Sequence, residues 1–168
     1  MLRQASADAA RAALRDERPE SYNPLNLLVA DRRAAWIATN HEAAITLTEL
    51  DPGLHLITNL DLNDPTCPRI SASYQLFAAL LGADAPRPGT NEFRERLHAI
   101  LSAHDTELDP RQPGFGNSLC LHSSEYGTRS SSLIFLDVAG RWTYWHANQP
   151  PCRSDYRPEG VMEAIASR

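Results

Sequence analysis

Apolar positions along the chain switch between a helical and a two-residue period, and the switches mark out its elements. Residues 3–16 place Ala9, Ala10, Ala13 and Leu14 on one helical face, with Ser6 available as a cap and Asp8 in the first turn. An alanine face cannot hold itself together, so this predicted helix depends on packing. Tyr22-Asn23-Pro24 is a turn, because proline pushes the residue before it out of the helical region. Residues 25–30 then read as a buried strand, Asp31-Arg32-Arg33 as a polar turn and residues 36–40 as the returning strand. Residues 44–50 alternate with period two, and Asp51-Pro52-Gly53 reverses the chain. Residues 54–58 are expected to add a fourth strand to this antiparallel meander.

The middle of the chain returns to a helical period. Residues 60–68 hold two prolines and several acidic or amide side chains, and read as a loop at a strand end. Residues 69–81 form a predicted helix with Ile70, Tyr74, Phe77 and Leu81 on one stripe and Gly82 as its stop. After a Pro-containing linker, Thr90 or Asn91 caps a second helix whose face is Phe93, Leu97, Ile100 and Leu101. Residues 105–116 are a polar, Pro/Gly-rich loop. Two apolar runs then flank Asp137-Val138-Ala139-Gly140, which puts glycine where a hairpin needs positive φ. Alternation of Trp142, Tyr144 and Trp145 reads first as hairpin packing and second as a ligand surface. The order of strands, two helices and strands predicts an α+β chain of antiparallel sheets with two central helices. Residues 1–150 are expected to be a single domain, and residues 151–168 an extended, poorly packed Pro-rich tail.

Composition narrows the function classes. The chain has 168 residues, a formal charge of −5 and 42% hydrophobic residues, which is enough for one core and argues against a nucleic-acid partner. All 16 basic residues are arginine, and no basic face is evident. Three cysteines at wide spacing do not suggest a disulfide framework. No apolar run approaches the roughly 20 residues needed to span a bilayer. The first twenty residues carry Asp8, Asp16, Glu17 and Glu20 without an apolar core segment, so a cytoplasmic protein is expected.

Candidate chemistry centres on Tyr126-Gly127-Thr128-Arg129-Ser130-Ser131, a small-residue segment between apolar runs. Gly127 permits close backbone approach, the hydroxyls can donate and accept, and Arg129 is the one permanent charge. A guanidinium between two buried strands requires an anion, so Arg129 reads either as a structural ion-pair partner or as a site residue. Cys67, Cys120 and Cys152 each read as packing or incidental residues. His122, Cys120 and His146 could approach one another, as could His41 and His55. Without a Cys-x-x-Cys or His-Glu-x-x-His spacing, neither a metal site nor a cofactor is expected.

The string 126–137, YGTRSSSLIFLD, followed by Gly140 and Arg141, resembles the C-terminal signature of the NRDE family, that of transport and Golgi organisation protein 2. Leu50 to Asp61 resembles the same family's Pro-Gly-x-His-x-(Leu/Ile)-(Ser/Thr)-Asn segment. The resemblance covers residues 20–147 and is to the later part of the family. Its usual Met-Cys-Thr start, Asn-Arg-Asp-Glu motif and Gly-Gly-Thr-Trp block do not occur here, so an N-terminally incomplete domain is expected. The family implies part of the αββα sandwich of N-terminal-nucleophile (Ntn) hydrolases, enzymes acting on C–N amide bonds. It implies Asn59 and Arg129 as catalytic residues, with an Asn N–H at the oxyanion and an Arg setting the field. His55, Asp61, Tyr126 and Thr128 are expected around a small-molecule substrate or ligand. Ntn chemistry needs a first-residue nucleophile, and Met1 followed by Leu2 offers none, so this chain is expected to be inactive. The alternative is a binding or trafficking protein for haem or lipid-type metabolites. An open sheet edge would favour a homo-oligomer.

Overall fold

A computed structural model describes residues 4–40, 44–58, 61–104 and 118–163. They divide into two compact units, one made by residues up to His55 and one by Leu56–Glu163. Each unit carries a three-stranded antiparallel sheet, so the chain is α+β.

In the first unit Ser6 has extended backbone and its hydroxyl accepts from the Ala9 N–H at 3.1 Å, which starts α1, Ala7–Leu14. The buried face is Ala7, Ala10 and Leu14, a spacing of three and four that leaves Ala9 and Ala13 only half-buried. This face packs on β1, Asn26–Ala30, and β2, Ala35–Thr39. Asp31 organises the intervening turn. Its carboxylate accepts from Arg33 and Ala34 N–H at 2.7 and 3.1 Å, and from the Ala7 N–H of α1 at 2.8 Å. One side chain thus caps a turn and a helix start together. β3, Thr46–Glu49, pairs on the far side of β2, whose Ile37 and Ala38 are the buried centre of the sheet. Buried Asn40 ties the preceding loop down, accepting from Leu25 N–H at 2.6 Å and donating to the Asn23 carbonyl at 3.2 Å. The Arg11 guanidinium lies 4.3 Å over the Trp36 ring.

The expected fourth strand over residues 54–58 is not formed. Leu56 gives both its backbone groups to Asn63 instead. Its N–H donates to Asn63 Oδ1 at 2.7 Å, and its carbonyl accepts from the Asn63 N–H at 2.8 Å. Asn63 reaches that position at φ 55°, in the left-handed region that asparagine tolerates better than most residues. A strand needs those same groups for its ladder, so the local closure wins.

The second unit begins its regular structure at Pro68, which opens α2, Pro68–Ala79, at the position where a missing N–H costs nothing. Ile70 and Ser73 are buried within it and Leu80 at its C-cap, while Tyr74, and Leu81 just beyond the cap, are exposed, so the packing stripe is rotated from the predicted one. Ser73 can be buried because its hydroxyl donates to the Arg69 carbonyl at 2.7 Å. Thr90 is the cap of α3, Asn91–Leu101, accepting from the Phe93 N–H at 3.3 Å. The hairpin of β4, Ser131–Leu136, and β5, Arg141–Ala147, forms in the register Ser131↔Ala147 to Leu136↔Trp142. Its turn carries Gly140 at φ 84°, and Asp137 accepts from the Ala139 and Arg141 N–H groups. Phe93 of α3 meets Phe135 edge-on at 6.1 Å, and Arg94 lies 3.9 Å over Trp145. Two of the helices therefore belong to this unit.

The Pro-rich end is corrected as well. Residues 151–153 form a short 3-10 turn, and β6, Arg157–Glu163, pairs antiparallel with β5 as an edge strand. Pro158 is tolerated because an edge strand has a row of N–H groups with no ladder to serve. Tyr156 anchors the turn into the strand, edge-on to His98 at 5.3 Å with its hydroxyl on Ser131 Oγ. Among the described residues no helix is long and apolar enough to cross a membrane.

Candidate functional site

The segment after Ser118 is built by crossing hydrogen bonds rather than by a regular strand. The Cys120 N–H donates to the Ala103 carbonyl at 3.3 Å, joining it to the chain just beyond α3. Leu121 and Thr128 then face each other. Thr128 N–H donates to the Leu121 carbonyl at 2.9 Å, and Leu121 N–H to Thr128 Oγ1 at 3.0 Å. At the tip, Ser123 and Tyr126 close on one another through backbone and hydroxyl. Gly127 is required here, since a Cβ would stand 2.9 Å from the Leu121 carbonyl oxygen. The close approach read from the sequence is therefore a real one.

This loop forms one wall of an open cavity of about 560 Å³, with Asn148, Gln149, Pro150 and Arg153 on the other. Tyr126, Thr128 and Arg129 all line it, so the structure brings these three predicted residues together. Arg129 is exposed, not buried. The expectation of a guanidinium shut between two strands is corrected, because residues 118–130 make a loop and leave it facing water. Asp61 is exposed in another loop, where its carbonyl accepts from the Asp64 N–H, and it does not line the cavity. His55 belongs to the first unit, with Nε2 2.7 Å from the Asp51 carbonyl. Asn59 lies outside the described residues, as does His41.

At the cavity wall, where His122 is one of the lining residues, four metal-competent side chains meet. His104, Cys120, His122 and Cys152 each place one ligand atom within 4.8 Å of the others. The two Sγ atoms are 3.5 Å apart, and His122 Nε2 is 3.7 Å from Cys120 Sγ and 3.1 Å from Cys152 Sγ. The His104 and His122 rings stack at a tilt, 5.1 Å between centroids. His104 Nδ1 lies 2.9 Å from the Cys120 carbonyl. A carbonyl only accepts, so Nδ1 carries the proton and the lone pair is on Nε2. Cys120 is 1% exposed, and burial chiefly pushes its thiol up, with Cys152 beside it. His122 is held below the ordinary histidine value, first by the loss of water around it, then by Arg153 and His104. Both shifts favour neutral groups at the centre.

His146 does not join this group. It sits on β5, with Nδ1 3.1 Å from Ser132 Oγ. His104 and Cys152 stand where it was expected. Cys120 and His122 carry a readable signal, since residues two apart in extended chain share a face. His104 and Cys152 carry none, being brought in by the segment just beyond α3 and by the 3-10 turn that follows β5. Arg153 enters the cavity on that same turn.

No curated protein matches the chain. The family model described as Transport and Golgi organisation 2 matches residues 2–148, a range that takes in the α1 segment, both sheets through β5, and the loop carrying Arg129. On the breadth of that match, the chain belongs to the Transport and Golgi organisation 2 family.

Proposed function

We propose that this family member binds a small anionic metabolite with an apolar portion in the cavity beside residues 122–129. The observation that carries the reading is the pairing of Arg129 and Arg153 on the walls of one open cavity, with Tyr126 and Pro150 supplying apolar surface. Two guanidiniums bring planar, permanently charged donors suited to a carboxylate or phosphate. A cavity of about 560 Å³ is of the size that takes small molecules. The binding of haem or lipid-type metabolites, molecules with acidic groups beside apolar bulk, fits this chemistry by class. Binding is preferred to Ntn-type amide hydrolysis because that chemistry needs a nucleophile on the first residue of the chain, and the residues that line the cavity include no cysteine. In this reading Arg129, Tyr126 and Thr128 contact the ligand.

The test is equilibrium binding of haemin and of a long-chain fatty acid, with a neutral detergent as control. Because Arg129 and Arg153 are exposed, Arg129→Glu with Arg153→Glu should fold normally and lose at least about 10-fold in affinity for the acidic probes. Unchanged binding in the double variant would remove the cavity from the account.

A further inference from the structure

We propose that His104, Cys120, His122 and Cys152 form a closed, four-ligand site for a zinc-class divalent cation. The proposal is independent of the ligand reading above. A tetrahedral ion about 2.3 Å from sulfur and about 2.0–2.1 Å from nitrogen holds its ligand atoms about 3.3–3.8 Å apart. The separations here are 3.5 Å for sulfur to sulfur, and 3.7 and 3.1 Å for His122 Nε2 to the two sulfurs. Three independent distances thus lie within a few tenths of an ångström of the required set. Two separate segments produce this agreement, the loop before β4 and the 3-10 turn after β5, and His104, just beyond the end of α3, brings a fourth ligand atom within 4.8 Å of the others.

The surroundings match a metal centre in two further ways. His104 donates Nδ1–H to the Cys120 carbonyl at 2.9 Å, the outer hydrogen bond that fixes the tautomer of a ligating imidazole and leaves Nε2 to bind. Two sulfurs with two imidazoles select a borderline-soft ion over calcium or magnesium, which take oxygen. Binding releases the two thiol protons to solvent, and two thiolates then balance the dication. Four protein ligands leave no open position, so the ion is structural. It ties the segment just beyond α3 and the 151–153 turn to the loop, and so sets where His122 and Arg153 stand on the cavity wall.

A disulfide between Cys120 and Cys152 is the competing outcome, although 3.5 Å is far from the bonded separation of about 2.05 Å. The test is anaerobic titration of the reduced chain with Co²⁺, then Zn²⁺, against a chromophoric chelator. One equivalent per chain is expected, with intense tetrahedral ligand-field bands and a thiolate-to-cobalt charge-transfer band that Zn²⁺ abolishes. Cys152→Ser and His104→Gln should each weaken zinc by more than about 100-fold, the upper end of what loss of an outer partner costs. Cys67→Ser, at the start of α2, should change nothing. Cys120 is buried and its variant risks misfolding, so the exposed Cys152 and His104 are the deciding positions, with circular dichroism confirming the fold. Failure to bind a stoichiometric ion, an octahedral cobalt spectrum, or equal losses in the Cys67 and Cys152 variants would each overturn the site. So would a Cys120–Cys152 disulfide in a chain that takes up no metal once reduced.

Discussion

Asp31 shows how much one side chain can decide. Burial alone would raise its pKa, but the N–H groups of Ala7, Arg33 and Ala34, with the charge of Arg33, outweigh it and hold the carboxyl below its ordinary value. A depressed carboxylate contributes stability above its unfolded pKa and loses that contribution as pH falls through the folded one. The Asp31→Asn variant should therefore be less stable than the parent at neutral pH. The gap should narrow as pH falls below the ordinary carboxylate range of about 4, and close once pH passes the lower folded pKa of Asp31. Thermal unfolding of both proteins across that range checks it, and a gap independent of pH would assign the residue's worth to shape alone. Asn40 acts in the same way without charge, its amide N–H groups facing the Pro19, Tyr22 and Asn23 carbonyls and its Oδ1 accepting from the Leu25 N–H. Neither residue stands out in a hydropathy pattern, because what matters is which N–H and carbonyl groups lie opposite.

At the scale of elements, the loop between Leu121 and Thr128 is the part most sensitive to a single carbon. Its two sides approach so closely at Gly127 that an added Cβ would meet the Leu121 carbonyl at 2.9 Å, and that oxygen is main chain and already accepts from Thr128. Gly127→Ala must shift the backbone, at a cost of about 1–3 kcal/mol typical of overpacking. Urea unfolding reads the loss, and the displaced Tyr126 and Arg129 should weaken binding of acidic probes in parallel. A variant as stable as the parent would show that the loop opens freely. The edge strand β6 teaches the opposite lesson about proline. Pro150, Pro151 and Pro158 after Ala147 read as an end without structure, yet the ladder with β5 forms around Pro158, with an irregularity at Tyr144/Trp145 absorbing the mismatch. Proline excludes a central strand and permits an edge, and which of the two applies depends on the neighbours.

For the molecule as a whole, the division at His55/Leu56 allows the two units to be followed separately. Trp36 is in the first, Trp142 and Trp145 in the second. With Trp36→Phe in place, fluorescence reports on residues 56–163 alone. Zinc at about 100 times its dissociation constant should stabilise that part by about 2.7 kcal/mol, raising its melting temperature, and a chelator should reverse the rise. A melting curve indifferent to zinc would deny the ion a structural role. The sequence by itself determined the features whose partners lie a few residues away: Ser6 and Thr90 as helix caps, the Asp137–Gly140 turn, the β1–β2 hairpin, the glycine at 127, and the family blocks at 50–61 and 126–137. Each rests on a contact between near neighbours, so local chemistry is sufficient. Only the tertiary structure decided that Arg129 faces a cavity rather than a core, and that His104 and Cys152 meet Cys120 and His122. The last of these compares one pairing with another across 16 to 32 residues of chain, and a periodicity carries no record of which distant group arrives.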